Sequence, residues 1–95
     1  MILYEVTLQP EPAIEAEYLR WLAPHMKEVV KIGGFIGARL FQADNGQYVV
    51  QYESKSESQL AQYLDEHAPK LRQEAVLKFG NQFKATRRIL RARDL

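Results

Sequence analysis

Few residues in this chain can do chemistry near neutral pH, and they sit at structural joints. His25 and His67 are the only histidines, and each adjoins a proline, in Pro24-His25 and in His67-Ala68-Pro69. Imidazole titrates near neutrality, so either could move a proton or polarise a ligand. Each also has a structural alternative: bonding the carbonyl that the proline leaves free, or capping the helix segment beyond the joint. Arg39 lies among Phe35, Ile36, Ala38, Leu40 and Phe41. There it either pairs with a carboxylate or holds an anionic or carbonyl-bearing ligand with its planar fork of donors. Arg87-Arg88 puts one guanidinium on each face of a strand, and the one facing the core must be paired or must snorkel. Tyr52 alternates with Val50 and Tyr48, which suits a wall beneath helices. The candidate ligand-binding residues are His25, Arg39, Tyr52, His67 and Arg87, and the chemistry they suit is binding of a small organic anion, with proton transfer by a histidine.

Several other chemistries are excluded. The chain has no cysteine, so disulfides, thiolate metal sites and cysteine nucleophiles are absent. Two histidines with no third ligand at helical spacing do not make a metal site, and no cofactor is expected. Gly33-Gly34 precedes a strand and no lysine-serine pair follows, so there is no phosphate loop, and no nucleophile elbow occurs. Tyr4, Tyr48 and Tyr52 fall on what would be two central strands, as in single-strand RNA readers. Those modules need glycine and a basic residue in the third strand, and Gln47-Tyr48-Val49-Val50-Gln51-Tyr52 has neither, which argues against nucleic acid.

The elements that must position these residues follow from periodicity. Ile2 to Leu8 alternates as a strand, and Pro10-Glu11-Pro12 stops it. A first helix is expected over 12–31, with Ile14, Tyr18, Trp21, Leu22, His25, Met26, Val29 and Val30 on its buried stripe, a kink at Pro24 and an end at Gly33-Gly34. Strands over 35–43 and 47–54 flank the hairpin turn Asp44-Asn45-Gly46. Overlapping capping boxes at Ser54-Glu57 and Ser56-Gln59 start a second helix, jointed at His67-Ala68-Pro69 and ended by Gly80. A last strand covers 82–91. The order β-α-β-β-α-β is that of an α+β, ferredoxin-like sandwich: a four-stranded antiparallel sheet ordered 4-1-3-2 with two helices on one face. The other face carries Glu5, Thr7, Gln51 and, in one register, Arg87. It must be wet or covered by something else.

Size and charge set further bounds. A single domain over residues 1–95 buries roughly 60–65% of its unfolded surface, and such a sheet often completes its burial against a second copy. The net charge of +1 conceals a segregation, with five basic against ten acidic residues in 1–68 and eight against two in 69–95. Since the last strand lies beside the first, Glu5 facing Arg87 or Arg88 would account for it. The start Met1-Ile2-Leu3-Tyr4-Glu5 reads as a strand and not as a signal peptide. No apolar run approaches a membrane span, so a cytoplasmic location is the expectation.

The pattern of Met1 to Thr7, Trp21 with His25, Gly34-Phe35 with Ala38-Arg39-Leu40, Gln51-Tyr52, His67-Ala68-Pro69 with Leu71-Arg72, Phe79-Gly80 with Phe83, and Arg87-Arg88-Ile89-Leu90 resembles domain-of-unknown-function family 4286, short bacterial proteins. The resemblance covers nearly the whole chain. One departure lies in the first helix, where the family tends to place proline two residues after its histidine and this chain has Lys27 there, with Pro24 before His25. The resemblance implies a protomer similar to dimeric α+β barrel proteins, in which two sheets face each other. It implies no reaction.

Two functions are consistent with the sequence. One is a homodimeric α+β barrel that holds a small anionic ligand between sheet and helices through Arg39 and Arg87 or Arg88, with His25 or His67 moving a proton. The other is a non-catalytic module whose basic C-terminal strand contacts a protein or a nucleic acid, with an affinity for polyanions that falls steeply with salt.

Overall fold

Alternation in Ile2–Pro10 sends Tyr4, Val6 and Leu8 to one side of a strand and Leu3, Glu5 and Thr7 to the other, and the whole fold is laid down on this element. The computed structural model describes residues 1–95. It contains β1 (Ile2–Pro10), a 3₁₀ turn (Pro12–Ile14), α1 (Glu15–Gly33), β2 (Gly37–Gln42), β3 (Tyr48–Ser54), α2 (Glu57–Glu66), α3 (Ala68–Phe79) and β4 (Phe83–Arg91). All strand pairs are antiparallel, and the sheet order is β2-β3-β1-β4. This is the expected α+β, ferredoxin-like arrangement, with the second helix divided at His67 into α2 and α3.

Register decides which side chains share a face. On the helix side, Ala38, Tyr52, Tyr4 and Ile89 form one row across the four strands, and Leu40, Val50, Val6 and Arg87 form the next. On the uncovered side the corresponding row is Arg39, Gln51, Glu5 and Arg88. Arg88, not Arg87, therefore stands beside Glu5. Arg88 Nε donates to Glu5 Oε2 at 2.5 Å, and Gln51 Nε2 donates to Glu5 Oε1 at 2.9 Å. The two donors close over the carboxylate, so Glu5 is only 5% exposed on an otherwise open face.

The core lies between the sheet and the helices. Tyr18, Leu22 and Val29 of α1, Leu60 and Tyr63 of α2, and Leu71, Ala75 and Phe79 of α3 are buried against Tyr4, Val6, Leu8, Val50 and Tyr52. α1 runs unbroken through Pro24. Pro24 and Arg20 are both exposed, so the carbonyl that proline frees lies on the water side. Gly34, at φ 71°, is the left-handed cap of α1, whereas Gly33 is a buried helical residue. At the start of α2, Ser56 Oγ accepts from the Gln59 N–H at 3.0 Å. The Gln59 side chain bonds the Gly33 carbonyl and so ties α2 to the end of α1.

Candidate functional site

A cavity of about 50 Å³ lies between the helix side of the sheet and the helices. β1 and β3 supply Tyr4 and Tyr52 to its walls, α1 supplies Tyr18, Trp21 and His25, α2 supplies Tyr63, α3 supplies Arg72, and β4 supplies Arg87. Arginines 72 and 87 are exposed residues that meet the buried aromatic wall at the cavity, as long stems with charged ends do.

His25 reaches this position because it lies three residues after Leu22 and four before Val29, both buried. Its ring stacks on Trp21, with centroids 4.3 Å apart and planes inclined by 21°. His25 Nδ1 is the one buried side-chain polar atom without a hydrogen-bond partner. Glu74 Oε2 lies 3.8 Å from it, beyond hydrogen-bond reach. Burial pushes the His25 pKa below its ordinary 6.5, with Glu28 pulling the other way. The structural duty expected of His25, bonding the carbonyl freed by Pro24, is not met, because its side chain makes no hydrogen bond.

The phenols and guanidiniums complement one another. Arg72 Nη2 donates to the Tyr4 hydroxyl at 3.0 Å. Burial pushes the pKa of Tyr18 and of Tyr63 up to about 12 and raises that of Tyr52 further, and Arg87 opposes the rise at all three. These hydroxyls are therefore neutral donors at physiological pH, gathered near one cation. Arg87 itself has no carboxylate within ion-pair distance, while Arg88 holds Glu5 and Arg91 holds Glu57. A core-facing arginine was expected to be paired or snorkelling, and Arg87 snorkels.

The structure brings His25, Tyr52 and Arg87 together and leaves Arg39 and His67 elsewhere. Arg39 stands on the uncovered face, in a depression with Leu3, Phe41, Gln51 and Glu53. The sheet lies between it and Arg87, which corrects the expectation that both hold one ligand between sheet and helices. His67 lines a different depression with Lys55, Gln59 and Gln62, and shares only Tyr63 with the cavity of His25. Nor does its side chain cap α3. The largest hollow, about 520 Å³ between α1 and β2, is lined by apolar residues with Lys27 and Lys31 and contains none of the candidates.

Sequence reasoning did not select Arg72, Tyr18, Tyr63 or Glu74 for the site. Tyr18 and Tyr63 read correctly as core stripe, but nothing in a helical period tells which core hydroxyls will converge. Arg72 has the spacing of any solvated helix arginine.

Chemically, the cavity offers two guanidiniums and four tyrosine hydroxyls as donors, with one imidazole that can accept. That set suits an anion bearing carbonyl or hydroxyl oxygen. No three histidine, aspartate or glutamate residues are grouped to hold a metal ion. No helix is long and apolar enough to cross a membrane.

No curated protein matches the chain in sequence. Among solved structures, a candidate antibiotic biosynthesis monooxygenase from Deinococcus radiodurans superposes with a TM-score of 0.71 at 12% identity, covering 100% of this chain and 95% of that one. Rv0793 from Mycobacterium tuberculosis superposes at 0.69 with 14% identity, covering 100% and 98%. A candidate antibiotic biosynthesis monooxygenase from Nitrosomonas europaea does so at 0.66 with 12% identity, covering 97% and 98%. At such identities the likeness is one of fold. Residues 1–93 match the domain of unknown function DUF4286, and the chain belongs to that family.

Proposed function

We propose that the protein binds a small organic anion in the cavity between its sheet and helices, as a homodimer paired through the uncovered sheet faces. The observation that carries the ligand is Arg87, a guanidinium with no carboxylate partner that faces a wall of neutral phenols. Because Arg87 snorkels and holds no carboxylate, its planar fork is available at the cavity for a ligand, with help from Arg72 and Tyr52. The cavity is small, about 50 Å³, which favours short-chain acids.

The paired charges of β4 weigh against the rival reading, in which the basic strand contacts a polyanion. Arg88 and Arg91 already hold Glu5 and Glu57, so two of the four cations of β4 are neutralised within the chain. For the dimer, the support is the composition of the uncovered face. Phe41 is 45% exposed there, and the half-buried Leu3, Val49 and Leu90 share its side of the sheet. A second copy would cover these residues.

Thermal unfolding with a panel of short carboxylates tests the ligand. An acid at ten times its Kd adds about 1.4 kcal/mol and raises Tm by roughly 5–10 °C. Arg87→Gln is expected to abolish the shift, and an undiminished shift would remove Arg87 from the site. Sedimentation equilibrium tests the dimer: twice the 11.0 kDa chain mass is expected at micromolar concentration, falling toward one chain in Phe41→Glu. A single chain mass in the unaltered protein overturns it.

A further inference from the structure

The two nitrogens of the His25 ring have different surroundings. Nδ1 is fully buried and turned to within 3.8 Å of Glu74 Oε2. Nε2 makes no hydrogen bond either, yet it is not among the buried unpartnered atoms, so it is the accessible nitrogen of a ring that lines the cavity. Trp21, stacked at 4.3 Å, fixes the plane of the ring. A carboxylate behind an imidazole, with the far nitrogen at a cavity that also holds cations and phenols, is the arrangement that makes a positioned base.

The geometry points to proton transfer at carbon: His25 Nε2 is a general base that enolises a small oxo-carboxylate, and Glu74 is the residue that positions it. This rests on the anion-binding reading above and names its substrate class. The acid's carboxylate lies on Arg87. Nε2 takes a proton from the carbon beside the ketone, the C–H electron pair forms the C=C bond, and the carbonyl electrons move onto oxygen. The enolate oxygen accepts hydrogen bonds from the cavity phenols, which are un-ionised at physiological pH. Return of the proton to the same carbon gives exchange, and its transfer to the enolate oxygen gives the enol. Protons and electrons balance with no oxidant, metal or second substrate.

The charges around His25 fit this task. Glu28 faces it from its own helix and Glu74 from α3, while Arg72 and Arg87 line the same cavity from α3 and β4. Burial keeps the imidazole unprotonated near neutrality, as a base must be before it acts. As the imidazolium forms, Nδ1–H and Glu74 become an ion pair, so a carboxylate too distant to bond the resting ring stabilises the charged one.

Deuterium uptake from heavy water into pyruvate and 2-oxobutanoate, followed by proton NMR, tests the proposal. Propanoate serves as the control that carries the carboxylate without the ketone. The expected result is binding of all three by thermal shift, with exchange into the oxo acids alone. His25→Gln is expected to slow exchange by roughly 10²-fold or more with the binding shift retained. Glu74→Gln, a change at a partly exposed site, is expected to slow exchange less and to move the acidic limb of its pH profile to lower pH. Binding of an oxo acid with exchange no faster than in buffer overturns the proposal and leaves the anion site standing, as does exchange unaffected by His25→Gln. Binding of propanoate but of neither oxo acid overturns the substrate class. Binding of no acid overturns the anion site itself, and the base with it.

Discussion

Arg87 and Arg88 are consecutive in sequence and stand on opposite faces of β4, one across from Val6 at the cavity and the other across from Glu5 on the uncovered sheet. Arg88 donates to a nearly buried carboxylate at 2.5 Å, whereas Arg87 has no carboxylate partner. The same residue type thus does two jobs in successive positions. One neutralises a charge that the fold itself has buried, and the other leaves a cation free beside tyrosines. This separation is why the basic C-terminal quarter is not one basic surface.

The two arginines should respond oppositely to replacement by glutamine. Arg88→Gln leaves the Glu5 carboxylate with only Gln51. Because Arg88 is well exposed, the loss is expected at the lower end for a charge-assisted hydrogen bond, about 1 kcal/mol. Arg87→Gln removes a cation with no ionic partner and should change stability by less than about 0.5 kcal/mol, while abolishing stabilisation by acids. Urea midpoints for the two variants, measured with and without ligand, give the comparison directly.

Glu5 also sets an acid limit. The Gln51 hydrogen bond is the largest influence on it; burial opposes, Arg88 assists, and the carboxyl is held below its ordinary 4.5. The unfolded chain therefore takes up this proton first as pH falls. The stability that the Glu5 charge contributes is complete above 4.5 and is lost between that value and the lower folded pKa. Glu5→Gln should be less stable than the parent at neutral pH and show a flatter decline below pH 4.5, which a pH series of urea midpoints would reveal.

His25 acts over a higher window and in the same direction. Its folded pKa lies below the ordinary 6.5, chiefly because burial penalises the imidazolium. The unfolded state binds this proton first, so stability falls as pH drops below 6.5 and the decline levels off once the folded ring is protonated. His25→Gln should remove that portion of the slope, so that its Tm differs less than the parent's between about pH 5 and about pH 7.5. An imidazole proton titration by NMR, midpoint below 6.5, would locate the same event at the ring itself.

Element order, hairpin, joint at His67 and sheet order were legible because each rests on a local rule: alternation, a turn tripeptide, a capping box, a proline. The face of each arginine was not. Arg87 and Arg88 are adjacent in a strand, so a period of two assigns one to each side without saying which, and only the pairing of Glu5 with Arg88 settles it. Arg39 posed the same difficulty, since its surroundings are apolar on both faces of β2. The cavity was legible least of all. Its walls come from all three helices and three of the strands, and their convergence depends on how the helices lie across the sheet.

Gly33 and Gly34 show the same limit at the end of α1, where a doubled glycine reads as one cap and performs two tasks. Gly34 has φ 71° and open space around it, since a Cβ there would have only Gln59 Cγ nearby, at 4.0 Å. Gly34→Ala therefore meets only the left-handed backbone penalty, about 1–2 kcal/mol. Gly33 has ordinary helical geometry but no room. A Cβ there would lie 2.6 Å from Phe35 Cε2 and 2.7 Å from Tyr63 Cδ1. Both rings are buried and pack edge to face at 4.9 Å, so neither can swing aside alone. Gly33→Ala should cost roughly 1–3 kcal/mol by overpacking. Tyr63 also walls the cavity, so displacing its ring should weaken acid binding as well, an effect Gly34→Ala should lack. Urea denaturation and acid-induced thermal shifts on the two alanine variants separate the roles: both lose stability but only Gly33→Ala loses binding, and unchanged binding in Gly33→Ala would detach Tyr63 from the site.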